Sequence, residues 1–162
     1  MVALPNAGGL EQHPAEACKL LVMGVSGCGK STLAARLARG LGGPLIEGDD
    51  DHPASNVEKM QRGIALDDAD RLPWLDILGK RLADVSGPAV LTCSALKKSY
   101  RERLRARVPG LRIAFMDIDL PEATQRLSAR KNHFFNPKLV TSQFQTLESP
   151  LGESGVFRVS SL

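Results

Sequence analysis

An α/β domain with a central parallel sheet is the fold this sequence predicts, on three observations. Short apolar runs alternate with helical patterns along the chain. A glycine-rich turn, Gly24-Val25-Ser26-Gly27-Cys28-Gly29-Lys30-Ser31, joins the first apolar run to the first helical pattern. Polar and acidic residues gather just after the next apolar runs, at the strand ends where open α/β sheets bind ligands.

The elements follow in order. Lys19-Leu20-Leu21-Val22-Met23 reads as a buried strand. From Ser31 to Leu41 the apolar residues Leu33, Leu37, Ala38 and Leu41 make a helical stripe, which Gly42-Gly43 ends. Pro44-Leu45-Ile46-Glu47 is a second strand, and 55–62 a short helix stopped by Gly63. A helix over 70–85 follows, with Asp70 as a candidate cap and Pro73 admitted only in its first turn. Ala89-Val90-Leu91-Thr92-Cys93 is the third strand, and 97–108 a basic helix ended by Pro109-Gly110. The fourth strand covers 112–118, and Pro121 opens a helix running to about Arg130. After a break at 132–137 come a helix over 137–147 and a last strand over 155–160.

A chain of 162 residues, 43% hydrophobic and 24% charged, fits one domain with one core. The net charge of +3 fits an anionic substrate or a mixed surface equally well, and no Lys/Arg block is dense enough for nucleic acid. Cys18, Cys28 and Cys93 make neither a disulfide framework nor metal-ligand spacing. They suit a reducing compartment, and the cytoplasm is the expected location. No apolar run approaches the ~18 residues of a membrane span. Residues 1–18 read as a disordered lead-in to a domain over 19–162.

The turn at Gly24 matches GxxxxGK[ST] at every fixed position, between a strand and a helix, which is the context this phosphate-binding motif requires. Glycines let the backbone curl so that the N–H groups of Gly24, Val25, Ser26, Gly27, Cys28, Gly29, Lys30, Ser31 and Thr32 gather around phosphate oxygens. The helix N-terminus adds about half a positive charge. Lys30 reaches the β- and γ-phosphates of ATP, and the Ser31 hydroxyl is placed to ligate Mg²⁺.

Gly48-Asp49-Asp50-Asp51-His52-Pro53 follows the second strand. Asp49 is the best candidate to orient an attacking hydroxyl, accept its proton or hold Mg²⁺ through water; Asp50 and Asp51 are expected to face solvent. His52 is either a loop cap or a substrate contact. Arg71 either pairs with Asp70 or grips a substrate carboxylate. Trp74, the only tryptophan, is expected to pack rather than to act as a stacking platform. Ser94 and Lys97, after the third strand, can face the acceptor. Of Arg101, Arg103, Arg105 and Arg107 most must be surface charges, because one helix cannot aim them all at one point. Arg126 and Arg130 share a helix face before the break at Lys131-Asn132-His133, as a lid over a transferring phosphate requires.

Together these segments resemble the short, single-domain gluconokinase family over residues 20–150. The later blocks carry most of the specificity: Gly48-Asp49 with His52-Pro53, Asn56 and Lys59-Met60; Asp68 and Asp70-Arg71 before Pro73-Trp74-Leu75; Cys93-Ser94-Ala95-Leu96-Lys97-Lys98 with Tyr100-Arg101; Arg126, Arg130 and His133-Phe134; and Ser142-Gln143-Phe144 with Leu147-Glu148. The resemblance implies a three-layer P-loop kinase fold with a lid segment, and transfer of phosphate from ATP to D-gluconate with Mg²⁺. It implies His52, Arg71 and Lys97 on the acceptor side, Arg126, Arg130 and His133 in the lid, and a possible homodimer. Similar proteins continue into a C-terminal helix beyond the last strand, whereas this sequence stops at Leu162. The expectation is therefore a domain lacking that helix, with weaker ATP binding.

Three other readings compete. A shikimate kinase would carry a glycine cluster where this chain has Ser94-Ala95-Leu96-Lys97. A nucleoside monophosphate kinase shares the phosphate loop. A nucleotide-binding protein with little activity would follow from the early stop. A GTPase has little support, for no NKxD-like or strand-three DxxG segment is present.

Overall fold

The computed structural model describes residues 18–129 and 137–160. Five strands, β1 (Lys19–Met23), β2 (Leu45–Glu47), β3 (Ala89–Thr92), β4 (Arg112–Asp117) and β5 (Val156–Ser160), form one sheet in the order β2-β3-β1-β4-β5. Every pairing is parallel: Leu21 stands opposite Leu91 on one side and Ile113 on the other. β5 pairs with β4 from Val156 beside Ile113 to Ser160 beside Asp117. Among the described residues six helices connect the strands: α1 (Lys30–Leu41), α2 (Ala54–Gln61), α3 (Asp68–Asp84), α4 (Lys98–Arg107), α5 (Leu120–Ser128) and α6 (Pro137–Thr146). A 3₁₀ turn over Gly48–Asp51 follows β2.

The pleat divides β1 between two cores. Leu21 and Met23 pack with Trp74, Leu75 and Leu78 of α3 and with Tyr100 and Leu104 of α4. Leu20 and Val22 pack with Ala34 and Ala38 of α1 and with Ala123 and Leu127 of α5. Strands buried on both faces must be apolar throughout, which is why β1 and β3 read as continuous runs. The adjacent strands β1 and β3 therefore send their helices, α1 and α4, to opposite faces. Such a divergence opens a crevice at the strands' C-terminal ends.

Several expectations need correction. The helix α3 begins two residues earlier than its sequence suggested, and Asp67, not Asp70, is its N-cap. Asp67 accepts from the Asp70 backbone N–H at 2.8 Å, and Asp70 answers by accepting from the Asp67 N–H at 3.0 Å. Pro73 consequently lies beyond the first turn, inside the helix. Its missing N–H leaves the Ala69 carbonyl without a helical donor, and Ala69 is exposed, so water can serve it. Of the four arginines on α4, Arg103 and Arg107 are exposed, and Arg101 is the fully buried exception that the expectation of mostly surface charges allowed. Asp51 does not simply face solvent, because it pairs with Arg81.

Candidate active site

The phosphate loop is held in shape by its own lysine and by contacts from α5 and α6. Gly27 has φ 84°, and a Cβ there would meet the Ala123 carbonyl oxygen at 2.8 Å and Leu127 Cγ at 2.9 Å, so α5 leaves room only for glycine. Lys30 Nζ donates to the carbonyls of Gly24 (2.9 Å) and Val25 (3.0 Å). Arg126 donates to the Cys28 carbonyl at 3.2 Å and pairs with Glu122 at 2.8 Å. From α6, Gln143 Oε1 accepts the Ser26 N–H at 2.6 Å while its Nε2 donates to Ser26 Oγ at 2.9 Å. Gln143 was not among the residues that sequence reasoning assigned to the site. Its contact spans 117 residues, and the signal that could have found it is the family-like block Ser142-Gln143-Phe144.

Glu47, the last residue of β2, is the second residue that sequence reasoning missed. Its Oε2 accepts from Ser31 Oγ at 3.1 Å and from Thr92 Oγ1 at 2.6 Å. Thr92 Oγ1 also accepts the Gly48 N–H at 3.2 Å, which fixes the start of the acidic turn against β3. A Cβ on Gly48 would stand 2.1 Å from the Thr92 carbonyl oxygen, so only glycine permits this approach.

The turn then presents Asp49 and His52. Asp49 is largely exposed, and its Oδ1 lies 3.7 Å from His52 Nε2. The His52 side chain is almost completely buried and stacks on Trp74, with ring centroids 4.0 Å apart and planes inclined by 17°. Trp74 is itself anchored by its indole N–H, which donates to the Gly48 carbonyl at 2.8 Å. The tryptophan is therefore a packing residue, as expected, and His52 is the ring it packs against. Asn56, on α2, is 1% exposed; its Nδ2 lies 3.3 Å from His52 Nδ1 and donates to the Asp70 carbonyl at 3.0 Å.

Arg71 does not pair with Asp70. Lys59 takes that carboxylate with bonds of 2.9 and 2.8 Å, holding Asp70 below the usual carboxylate range. Arg71 instead donates to Tyr100 Oη at 3.2 Å, with its guanidinium 5.4 Å from the ring centroid. The Tyr100 hydroxyl donates to Asp68, which also accepts from Lys97 at 3.1 Å. These two donors, Tyr100 first, lower the Asp68 pKa. The hydrogen bond to Asp68 raises that of Lys97, and burial raises that of Tyr100. The Cys93 thiol, wholly buried beneath this rim, is pushed up to about 12 by desolvation, so it supplies no nucleophile.

One open cleft gathers Ser26, Lys30, Asp49, His52, Arg71 and Ser94, and Ser142 and Gln143 of α6 line it too. Lys97 lines a neighbouring cleft with Asp68 and Tyr100, and Arg71 borders both. Arg126 touches the phosphate loop from α5; Arg130 and His133 lie outside the described residues. Among the described residues, no three His, Cys, Asp or Glu side chains cluster to hold a metal ion on their own.

A model of the AAA domain family matches residues 20–150. The gluconokinase of Gluconobacter oxydans is 48% identical over 145 residues, which span 87% of this chain and 81% of that protein. The thermoresistant gluconokinase of Escherichia coli is 41% identical over 133 residues, 80% of this chain and 76% of that one. The chain belongs to the gluconokinase family. The crystal structure of a gluconokinase from Sinorhizobium meliloti superposes with a TM-score of 0.84 at 43% identity, covering 90% of this chain and 83% of that one. A shikimate kinase from Acinetobacter baumannii reaches a TM-score of 0.54 at 16% identity, a likeness of fold alone. Family membership and the sheet order agree on an α/β P-loop kinase domain. No described helix is long and apolar enough to cross a membrane.

Proposed function

We propose that this chain transfers the γ-phosphate of ATP to the terminal hydroxyl of D-gluconate, giving ADP and 6-phospho-D-gluconate. The carrying observation is the single cleft that unites phosphate-loop residues with Asp49, His52, Arg71 and Ser94, in a chain 48% identical to a gluconokinase. The loop N–H groups and Lys30 hold the phosphates in line with the acceptor. Asp49 orients the hydroxyl and takes its proton as the oxygen attacks the γ-phosphorus and the bond to the bridging oxygen breaks, leaving ADP. Arg126, and Arg130 from the lid with His133, balance charge on the transferring group.

Mg²⁺ bound with ATP would be held by Ser31 and would supply charge neutralisation for the transferring phosphate. The residues fit it, for Ser31 and Glu47 present hydroxyl and carboxylate oxygens 3.1 Å apart, and Mg²⁺ commonly takes one or two protein oxygens besides phosphate and water. Glu47 is bonded to Ser31 directly, whereas Asp49 bears on His52, so Glu47 is the better support for the metal and Asp49 for the acceptor. The substrate carboxylate needs a cation. Arg71 borders the main cleft with its guanidinium oriented by Tyr100; Lys97 is engaged by Asp68 and assists from the neighbouring cleft. The family resemblance supports a possible homodimer, and the free thiols of Cys18, Cys28 and Cys93 support a reducing, cytoplasmic location.

The test is coupled ADP release with MgATP, comparing gluconate with shikimate, glycerate and nucleoside monophosphates. Gluconate-dependent release is expected, and Asp49→Asn should lower kcat at least about 10²-fold while sparing ATP binding. Release with another acceptor but not gluconate would overturn the substrate. Unchanged kcat in Asp49→Asn would remove that residue from the chemistry. A folded protein that binds ATP without turnover would be a nucleotide-binding protein instead.

A further inference from the structure

We propose that Asn56 locks His52 in a single tautomer, protonated on Nε2, and that His52 thereby acts as a positioning residue for Asp49. The role at Asp49 rests on the function proposed above; the lock itself does not. Asn56 settles the proton by elimination. Its Nδ2 lies 3.0 Å from the Asp70 carbonyl, which can only accept, so that end of the amide is the NH₂ group. One of its two hydrogens serves Asp70, and the other points to His52 Nδ1 at 3.3 Å. Nδ1 must then offer its lone pair, and the neutral imidazole carries its proton on Nε2. That nitrogen is the one facing Asp49, 3.7 Å from Oδ1.

The ring cannot easily escape this arrangement. Trp74 covers one face of the imidazole and is pinned by its own bond to Gly48, and the His52 side chain is 3% exposed. Asn56 is equally buried and bridges α2 to the first turn of α3 through Asp70. The N–H is thus aimed from a rigid wall at an exposed carboxylate. A separation of 3.7 Å is longer than a hydrogen bond, and catalytic contacts of this kind tighten when substrate binds. With one oxygen of Asp49 held by His52, the other is turned to the acceptor hydroxyl.

Two measurements test this. Long-range ¹H–¹⁵N spectra of the full chain without substrates, at about pH 8 where an ordinary histidine is neutral, report the tautomer. The chain holds three histidines, and the His52 signals are assigned by their loss in His52→Gln. The Nε2-protonated form is expected; the Nδ1-protonated form, or an equal mixture, would overturn the lock. For kinetics, glutamine places an amide N–H near the Nε2 position, whereas asparagine reaches only as far as Nδ1. His52→Gln should keep kcat within about threefold and His52→Asn should lose at least about tenfold, both with unchanged KM for ATP. Equal losses in the two variants would overturn the positioning role. Because the spectra need no acceptor, absence of gluconate turnover would defeat the proposed function while leaving the tautomer decided.

Discussion

Glu47 accepts two hydroxyl hydrogen bonds on one oxygen, from Ser31 at 3.1 Å and Thr92 at 2.6 Å, and this places a carboxylate behind the hydroxyl that a P-loop offers to Mg²⁺. A neighbour of that kind orients the ligand and adds charge, and losing one costs metal affinity. Glu47→Gln keeps the size and one oxygen able to accept both hydroxyl bonds but removes the charge. We expect its half-saturating Mg²⁺ at fixed ATP to rise about tenfold or more, measured by titrating Mg²⁺ in the coupled assay. An unchanged Mg²⁺ dependence would confine Glu47 to holding β2 against β3. Nothing local in the sequence marks this residue, since it reads as the end of a strand. Its partner Ser31 lies 16 residues earlier and Thr92 45 later, and parallel pairing of β2 with β3 brings Thr92 beside it. Lys30 and Ser31, by contrast, were legible because the phosphate loop is a contiguous motif whose spacing encodes its shape.

The helices show where pattern reading succeeds and where it slips. The strands and the stripe on α1 were readable because burial on defined faces imposes a period. The start of α3 was not, because Asp67 and Asp70 are both competent caps and the pull of Pro73 toward a first turn favoured the later one. The structure resolves the choice through a reciprocal pair: Asp67 caps, and Asp70 returns the bond from the N3 position. Lys59 then ties the same carboxylate to α2, so this helix start also anchors the segment that carries Asn56 and borders the site. Asp67→Ala should cost about 1 kcal/mol. In a domain of this size that lowers the melting temperature by about 2–4 °C, which differential scanning calorimetry reads. A melting temperature equal to the parent's would mean that Asp70 and Lys59 hold the helix start without the cap.

At the scale of the whole molecule, one buried arginine joins the rim of the site to the loop that leads into β5. Arg101 donates from Nε and Nη2 to Glu153 at 3.0 and 2.7 Å, from Nη1 to the carbonyls of Ala95 and Leu96 at 2.8 and 3.1 Å, and from Nη2 to the Glu148 carbonyl at 2.9 Å. All five guanidinium hydrogens therefore have partners. The carbonyls of Ala95 and Leu96 belong to the turn that presents Ser94, where Ala95 sits at φ 46°, an uncommon backbone state for a residue other than glycine. Arg101 thus holds a strained turn beside the cleft and the loop leading into β5 at the same time. Removing it leaves several carbonyls unpaired and Glu153 with Arg105 alone, at 3.0 Å, so Arg101→Met should destabilise the fold by about 3 kcal/mol. The pH dependence follows from Glu153, whose pKa is lowered, chiefly by its hydrogen bonds from Arg101. A depressed folded pKa gives stability that is complete above the ordinary glutamate range and is lost as the pH falls through the folded value. The advantage of the parent over Glu153→Gln in thermal melts should therefore be largest near neutral pH and shrink as the pH drops below about 4. A difference that stays constant across that range would show that the pair stabilises through shape and hydrogen bonding, with no contribution from charge.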